Sequence, residues 1–238
     1  MAIGDSALAA AGEAKGRTLE LCTRVAAEFP TGAQVAIIHG LPSSGHKFAE
    51  DHGLSGLESN QHRWAEFRHT VEETVTSRLV ESLLSRGHSP IVVPATGIVR
   101  TYNGKIMTLN HDFVGEYAKS GFIPITHGDV VLDEVSGVHM VGCDAIAAHL
   151  AKNLGADLLV YCGVTDGVTA TDGAAMGSAS ATEALEYATG KARNNEGLAG
   201  ILGELSRLKG VRARIINIYK DGQLSKAMEG KDVGTLIQ

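Results

Sequence analysis

The chain has 238 residues, a formal net charge of −6 and 44% hydrophobic residues, which is ordinary for a protein with a sizeable core. The acidic balance argues against non-specific nucleic-acid binding, and no apolar run approaches the roughly 20 residues that span a bilayer. Three cysteines without a CxxC spacing and an N-terminus without a signal-peptide pattern predict a reduced, cytoplasmic protein with no thiolate metal site.

In chain order, short runs rich in branched residues alternate with amphipathic segments of helical length. The predicted strands are Val35–Ile38, Ile91–Pro94, Ile123–Ile125, Leu158–Cys162 and Arg214–Ile218. The predicted helices are Leu19–Phe29, Trp64–Ser85, Asp112–Ser120, Asp144–Leu154 and Leu198–Leu208. Several of these helices end at a glycine, which is a common helix stop. The glycine- and serine-rich stretch Thr169–Ala181 predicts an exposed loop.

This alternation predicts an α/β fold, in which helices cover both faces of a mainly parallel sheet. No linker or internal repeat divides the chain, so residues 1–238 are expected to form one compact domain. Such sheets bind ligands in the loops at the carboxyl ends of their strands. Candidate residues come just after four of the predicted strands: His39, Thr96, His127 and Gly163. Of these, His127 is expected to form a buried hydrogen-bonded pair with Asp129.

The segment Val35–His46 (VAIIHGLPSSGH) begins as a buried strand and then opens into a loop. A phosphate-binding loop needs closely approaching backbone N–H groups, whereas Leu41 adds a side chain and Pro42 lacks the N–H. Histidines bracket this turn, and imidazole serves as donor, acceptor or acid–base group near neutral pH. His39 and His46 are therefore candidate catalytic residues. The structural alternatives are a loop tie for His39 and a helix-start residue for His46.

A second series of motifs lies further along the chain. Residues Gly121–Asp133 (GFIPITHGDVVLD) place one strand before His-Gly-Asp and a second short strand after it. Val141–Ile146 (VGCDAI) follows, and then a helix, a strand and Thr165–Gly167. This order, with an ungapped match of Ile38–His46 to H-G-G-G-x-F-G-H, resembles the amino acid kinase superfamily, in its branch of isopentenyl phosphate kinases and fosfomycin kinase. The segment Val233–Ile237 is similar to that family's last strand, so the resemblance covers nearly the whole chain.

The resemblance implies a three-layer α/β/α sandwich, usually dimeric. It also implies a phosphoryl acceptor bound by about residues 1–155 and ATP bound by about residues 156–238. His46 takes the position of the histidine that contacts the acceptor's phosphate. The other acceptor-side candidates are Gly40, Ser43, Ser44, Gly45, His127, Gly128, Asp129, Gly142 and Asp144. The nucleotide-side candidates, if a nucleotide binds, are Gly4, Ser6, Gly163, Thr165, Asp166 and Gly167.

Several positions depart from the family's kinase motifs. The first-strand pattern K-x-G-G-S, whose lysine lies along the transferring phosphate, is replaced by Ala2–Ser6 (AIGDS). The motif G-D-D, whose first aspartate organises the catalytic lysines, is replaced by Gly142–Asp144 (GCD). The nucleotide-side T-D-V-D-G is replaced by Gly163–Gly167 (GVTDG). The motif G-G-M-K, whose lysine grips the nucleotide phosphates, is replaced by Glu196–Ala199 (EGLA).

These departures affect the charges on which phosphoryl transfer depends. The protein contributes mainly positioning and neutralisation of negative charge, and the loss of one donor typically costs about 2.7–4 kcal/mol of barrier. Ala2 carries no charge, and Asp5 adds a negative one near the expected triphosphate. ATP chemistry is therefore expected to be lost unless Lys15 or Lys191 replaces a missing lysine. Mg-ATP is expected only if that kinase alternative holds, and the sequence indicates no other cofactor.

Cys143 replaces an aspartate at a predicted helix start, where the helix dipole favours a thiolate. It is a candidate nucleophile, with a merely space-filling residue as the alternative. The chain has ten histidines, but they are scattered along it. His62 and His69 lie two turns apart on one helix face, too far for a single ion, so no metal site is predicted.

The predicted helix that begins at Trp64 also carries Phe67, and an aromatic stripe at this spacing is more typical of a core or an interface than of a substrate lid. Arg63, which directly precedes this helix, and Arg68 within it are expected to be solvated, with a role as anion ligands as the alternative. This helix is therefore expected to be mainly structural.

Three functions are consistent with the sequence. The favoured one is an enzyme that keeps the acceptor pocket for a small phosphate, phosphonate or isoprenoid-like metabolite. Acid–base chemistry by His39, His46 or Cys143 then replaces phosphoryl transfer. The alternatives are an ATP-dependent small-molecule kinase with displaced lysines, and a non-catalytic ligand-binding module. In each case the expected assembly is a homodimer without nucleic-acid or membrane partners.

Overall fold

The computed structural model describes residues 1–11, 15–30, 32–51, 61–190 and 197–238. The side chains of Lys15, Ser44, His46 and Glu50 lie outside this description, as does the whole of Lys191. The structure therefore does not describe the side chains of Lys15 and Lys191, the two lysines considered as replacements. Within the described ranges, no helix is both long and apolar enough to cross a membrane.

A large sheet forms the middle of the molecule. In chain order the strands are β1 (Ala2–Ile3), β2 (Ile37–His39), β3 (Pro90–Val92), β4 (Val99–Tyr102), β5 (Lys105–Leu109), β6 (Ile123–His127), β7 (Asp129–Asp133), β8 (Gly137–Val141), β9 (Leu159–Gly163), β10 (Ser178–Ala179), β11 (Ala213–Asn217) and β12 (Thr235–Ile237). The large sheet has the order β10-β12-β11-β9-β1-β2-β6-β3, and its neighbours are parallel except for β11 with β12. Strands β2, β6 and β9 are buried along their whole length, as expected for strands covered on both faces.

Helices cover both faces of this sheet. They are α1 (Asp5–Ala11), α2 (Lys15–Glu28), α3 (Ser43–Asp51), α4 (Gln61–Val71), α5 (Ser77–Leu84), α6 (Ala95–Ile98), α7 (His111–Lys119), α8 (Cys143–Asn153), α9 (Ala181–Thr189), α10 (Ala199–Leu208) and α11 (Gln223–Met228). Helices α7 to α10 contribute to one buried cluster, and α1, α2, α5 and α11 contribute to the other. Alternate residues of the central strands enter the two clusters, which confirms the predicted α/β/α sandwich with a mainly parallel sheet.

A second sheet, in the order β5-β4-β7-β8, was not predicted from the sequence. Strand β4 alternates buried and exposed residues, so its apolar signal is weaker than that of the buried parallel strands. The β4–β5 turn places Asn103 and Gly104 at positive φ. The Asp133 carboxylate accepts the N–H groups of Gly104 and Ser136 and thereby holds this turn against the turn that follows β7.

The predicted helix Trp64–Ser85 is a continuous helical run interrupted by one π-helical turn. The run consists of α4, the π turn Glu72–Thr76 and α5. Trp64 and Phe67 are buried in a cluster with Val130 of β7, which confirms the interpretation that they belong to the core. The π turn is relevant to the site, because such turns are frequent at functional positions and Thr76 at its end reaches the large sheet.

Candidate functional site

Four parallel strands end side by side at the carboxyl edge of the large sheet. Ile3 pairs with His39 and with Cys162, and His39 pairs with His127, so the four residues form one row. In three of these strands, the N–H group of the next residue continues the ladder by donating to a neighbouring carbonyl. In all four strands the next residue is a glycine: Gly4, Gly40, Gly128 and Gly163. This row of glycines lies at the carboxyl edge of the sheet, in the region that we call the strand-end crevice. Both the acceptor-side and the nucleotide-side candidates include residues of this row.

The start of α8 lies over the middle of this crevice. A Cβ atom at Gly128 would lie 3.0 Å from the backbone nitrogen of Cys143. Glycine is therefore needed at this position for the helix start to approach β6 so closely. Gly142 precedes the helix in an extended conformation, and Asp144 in the first turn is half-buried. The structure thus brings Gly128 next to Gly142 and the start of α8, which carries Asp144.

The carboxylate of Asp5 turns into this crevice from the first residue of α1. Its Oδ1 accepts the N–H of Leu41 at 2.9 Å and lies 3.7 Å from Sγ of Cys143. A Cβ atom at Gly40 would lie 1.9 Å from the same oxygen. The Asp5 carboxylate therefore occupies the space that the absent side chain of Gly40 leaves open, next to the N–H of Leu41.

Cys143 is a buried thiol between two carboxylates. Its Sγ lies 3.5 Å from Oδ1 of Asp144, in addition to its contact with Asp5. Burial is the largest cause that raises the pKa of Cys143 well above its usual range, and the two carboxylates raise it further. The expectation that the helix dipole favours a thiolate is wrong, because desolvation and negative neighbours outweigh the dipole. Cys143 is a donor to carboxylates and is not activated as a nucleophile.

Asp144 has an ionisation suited to proton transfer near neutral pH. Burial raises the pKa of Asp144 to about 6, and the charge of Asp5 is the second cause. A hydrogen bond from Tyr161 of β9 acts in the opposite direction. A carboxyl group that titrates near the working pH can accept and return a proton. Tyr161 was not among the predicted site residues, because its apolar neighbours on β9 indicate a core position.

His39 and His127 are buried and stacked, with ring centroids 5.1 Å apart. The Nδ1 of each ring lies 2.8 Å from the carbonyl of the following glycine, which places a proton on Nδ1. Nε2 of His39 bonds Oγ1 of Thr76 at 2.8 Å. Burial, followed by the neighbouring His127, lowers the pKa of His39 to about 3. His39 therefore ties the strand end to the π turn, which is the structural alternative considered from the sequence.

The expected hydrogen bond between His127 and Asp129 is not formed. Nε2 of His127 lies 3.9 Å from Oδ2 of Asp129 and has no hydrogen-bond partner among the described residues. Asp129 instead accepts Nε of Arg68 at 2.9 Å, and Arg68 also bonds Glu72 at 2.6 Å. The expectation that Arg68 is solvated is therefore wrong, because α4 packs its guanidinium onto a fully buried carboxylate.

Arg63 on the same helix is paired more loosely. It bonds Glu66 at 2.6 Å, and both side chains are more than a third exposed. Arg63 is thus solvated, as expected, and it lies on a different face of α4 from Arg68. Nearby, His62 pairs with Glu66, and His69 pairs with Glu73. The described residues contain no group of three or more His, Cys, Asp or Glu side chains placed to hold a metal ion.

The nucleotide-side candidates lie around the end of β9. The Asp166 carboxylate accepts Nζ of Lys220 at 2.6 Å and Nδ2 of Asn217 at 3.0 Å, and these bonds lower the pKa of Asp166. A Cβ atom at Gly163 would lie 3.7 Å from Oγ of Ser6, so these two candidates are neighbours. The positive charge of Lys220 is therefore paired within the chain.

The same turn is fixed against the end of the chain. Gly167 has a φ of +123°, and a Cβ atom there would lie 2.3 Å from Oγ1 of Thr235. The Thr235 hydroxyl accepts the N–H of Val168 at 2.8 Å. Oγ1 of Thr165 is buried and has no partner in the part of the chain that the structure describes. The glycine at position 167 thus lets the turn after β9 pack on β12.

A cavity of about 560 Å³ lies at the opposite edge of the large sheet. Its lining includes Ala36, Leu150 and Leu158, near the amino ends of the strands and along α8. The candidate residues of the crevice do not line it. Because ligands of parallel sheets bind at the carboxyl ends of strands, the crevice and not this cavity is the candidate site.

Four predicted site residues lie where the chain leaves β2. Ser43, Ser44 and His46 are in the first turns of α3, and Gly45 donates its N–H to the carbonyl of Pro42 at 2.9 Å. Ser43 is half-buried, whereas the side chains of Ser44 and His46 lie outside the described part. The backbone thus brings α3 to the crevice, and the contacts of the His46 ring stay a prediction.

Comparison with known proteins adds an independent observation. The sequence model of the amino acid kinase family matches residues 1–208, which is most of the chain. The chain belongs to the amino acid kinase family. The resemblance noted from its motifs is confirmed, and within the family the chain is similar to isopentenyl phosphate kinases.

The relatives of this family member are distant in sequence but similar in length. It is 24% identical over 236 residues to the isopentenyl phosphate kinase of Methanothermobacter thermautotrophicus, covering 90% of this chain and 88% of the relative. It is 27% identical over 228 residues to the acetylglutamate kinase of Rubrobacter xylanophilus, covering 87% of both chains. An X-ray structure of isopentenyl phosphate kinase superposes with a TM-score of 0.79 at 20% identity, covering 100% of this chain and 98% of the other. The similarity in structure supports the fold.

Proposed function

We propose that this amino acid kinase family member is a divergent enzyme that binds a small anionic metabolite in the strand-end crevice and does not transfer a phosphoryl group from ATP. The ligand class is a phosphate, a phosphonate or an isoprenoid-like anion. The observation that carries the proposal is the Asp5 carboxylate bonded to the N–H of Leu41. In the motif resemblance, this loop corresponds to the glycine-rich loop of the family's kinases, so a negative group of the chain itself would face the phosphate.

Electrostatics supports the loss of ATP chemistry. Two like unit charges 4 Å apart repel by about 4 kcal/mol at an effective dielectric constant of 20. Asp5 and Asp144 together therefore oppose a triphosphate in this crevice. In the motif resemblance, Ala2 and Ala199 take the positions of the family's lysines. Lys220, at the same edge, is paired with Asp166 and does not offset this repulsion.

Proton transfer is the chemistry that the remaining groups support. His39 has both ring nitrogens bonded, and Cys143 is held as a thiol. We therefore assign proton transfer to His46, from its position on α3, and to Asp144, whose pKa is raised to about 6. The proposed organisation is an acceptor-side lobe of about residues 1–155 and a nucleotide-side lobe of about residues 156–238, in a cytoplasmic homodimer.

An ATP-dependent kinase is the second candidate function. It is favoured by the names of the relatives, which are isopentenyl phosphate kinases and an acetylglutamate kinase. It requires Lys15 or Lys191 to supply a cation to the crevice. A non-catalytic ligand-binding module is the third candidate and differs from the first only in having no turnover.

Calorimetric titration with isopentenyl phosphate tests the acceptor side. We expect wild-type protein to bind this anion and not the neutral alcohol isopentenol. His46→Ala is expected to weaken binding about tenfold to a hundredfold, because a hydrogen bond to a charged group contributes about 1.5–3 kcal/mol. His62→Ala is the matched control, since this exposed histidine pairs with Glu66 on α4. Equal affinity for the anion and the alcohol, or equal affinities of the two variants, would argue against the proposed site.

A further inference from the structure

The loop after β2 offers one backbone N–H to the crevice, and a carboxylate of the chain itself accepts it. Leu41 presents its N–H to the crevice, and Gly40 leaves open the space where a Cβ atom would lie. We infer that Asp5 is a built-in anion in this position and that removing its carboxylate opens the position to inorganic phosphate. This inference rests on the strand-end crevice of the proposed function.

The Asp5 carboxylate is held in this position by its contacts with Leu41, Cys143 and Gly40. One oxygen, Oδ1, accepts the N–H of Leu41 at 2.9 Å and faces Sγ of Cys143 at 3.7 Å. The same oxygen lies 1.9 Å from the place of a Cβ atom at Gly40. A phosphate oxygen that accepted the Leu41 N–H would need the space of this carboxylate oxygen. Phosphate and Asp5 therefore compete for a single donor.

The position is also built from rigid elements. Gly40 donates its N–H to the carbonyl of Ile3, and Gly4 donates its N–H to the carbonyl of Cys162. Asp5 follows Gly4 directly as the first residue of α1. The carboxylate is thus attached to the strand ladder next to the loop that it contacts. It needs no lid or domain movement to stay in place.

The occupied position restricts which ligands the wild-type crevice accepts. An anion cannot reach the Leu41 N–H while Asp5 holds it, so the charged group of the ligand must bind nearer α3 and His46. Asp5 therefore acts as a positioning residue that excludes phosphate from this N–H group. Ligands that place a neutral or hydrogen-bond-donating group there fit beside its carboxylate.

Asp5→Ala and Asp5→Asn are the matched pair of variants that tests this inference. Alanine removes the oxygen from the loop, whereas asparagine keeps an oxygen of the same size in the same place without the charge. We expect inorganic phosphate at ten times its Kd to raise the Tm of Asp5→Ala by about 3 °C or more beyond its effect on the wild type. We expect Asp5→Asn to behave as the wild type, because its side chain still fills the position.

A measurement at the amide itself keeps the inference testable if Asp5→Ala does not fold. The Leu41 ¹⁵N–¹H signal of the wild type is expected not to move on addition of phosphate, even if other signals near α3 do. A phosphate-dependent shift of the wild-type Leu41 signal, or a Tm response of Asp5→Ala no larger than that of the wild type, overturns the inference. Isopentenyl phosphate binding by the wild type is a separate measurement, so the failure of the inference and that of the proposed function are distinguishable.

Discussion

Replacing Arg68 by alanine is expected to destabilise the protein by about 3 kcal/mol. Arg68 is the charged partner of Asp129, whose carboxylate is fully buried. Removing one member of a buried pair leaves an uncompensated charge, which costs about 3–5 kcal/mol, and the partial exposure of Arg68 places the effect at the lower end. Urea denaturation at pH 7.5 measures the change from the shift of the midpoint at a constant slope.

Arg63→Ala is the matched control on the same helix. Its pair with Glu66 is exposed on both sides and is expected to contribute less than about 1 kcal/mol. Adding Asp129→Asn to Arg68→Ala should recover part of the lost stability, because the buried charge is then absent. If Arg68→Ala and Arg63→Ala destabilise the protein equally, the buried pair does not hold α4 on the strand end.

Replacing Asp144 by asparagine is expected to stabilise the protein by about 2 kcal/mol at pH 7.5. The pKa of Asp144 is raised to about 6 in the folded state, against about 3.9 in the unfolded chain. The folded state therefore binds the proton more tightly. This contribution to stability is fully present below about pH 4 and is lost as the pH rises through 6. Asparagine cannot ionise, so the gain should shrink steadily as the pH is lowered from 7.5 towards 4.

The difference in the free energy of unfolding between the wild type and Asp144→Asn isolates the contribution of Asp144 from that of the other titrating groups. His39, with a pKa lowered to about 3, makes the folded state less stable as the pH falls below about 6.5. That slope is common to the wild type and Asp144→Asn and cancels in their difference. Asp166→Asn is the control, and its expected effect on stability has the opposite sign. The bond to Lys220 lowers the pKa of Asp166, so the ionised carboxylate stabilises the folded state and its removal should destabilise it. An Asp144→Asn gain that does not depend on pH would rule out the raised pKa as its cause.

The sequence was sufficient to locate the edge of the sheet where the site lies. Strands β2, β6 and β9 are buried, mainly apolar runs that stop at a histidine or a glycine, and this pattern is local. The glycines that follow these runs could therefore be named from the sequence. Their alignment in one row required the register of the strands, which a single sequence does not give.

The contacts within the site were less predictable, because they join distant parts of the chain. Arg68 and Asp129 are 61 residues apart, and His39 and Thr76 are 37 residues apart. Helical spacing showed the faces of α4 but not which of its arginines meets a buried carboxylate. The thiol of Cys143 was misjudged for the same reason. Its pKa depends on burial and on Asp5, whereas the sequence shows only the helix start.

Titration of the wild-type protein with Mg-ATP in a calorimeter, followed by an assay for ADP in the presence of isopentenyl phosphate, tests most directly whether the family's phosphoryl transfer is lost. We expect no binding heat up to about 1 mM ATP and no ADP, since Asp5 holds the loop N–H and Ala2 and Ala199 carry no charge. A dissociation constant in the micromolar range together with ADP release that depends on isopentenyl phosphate would contradict this account.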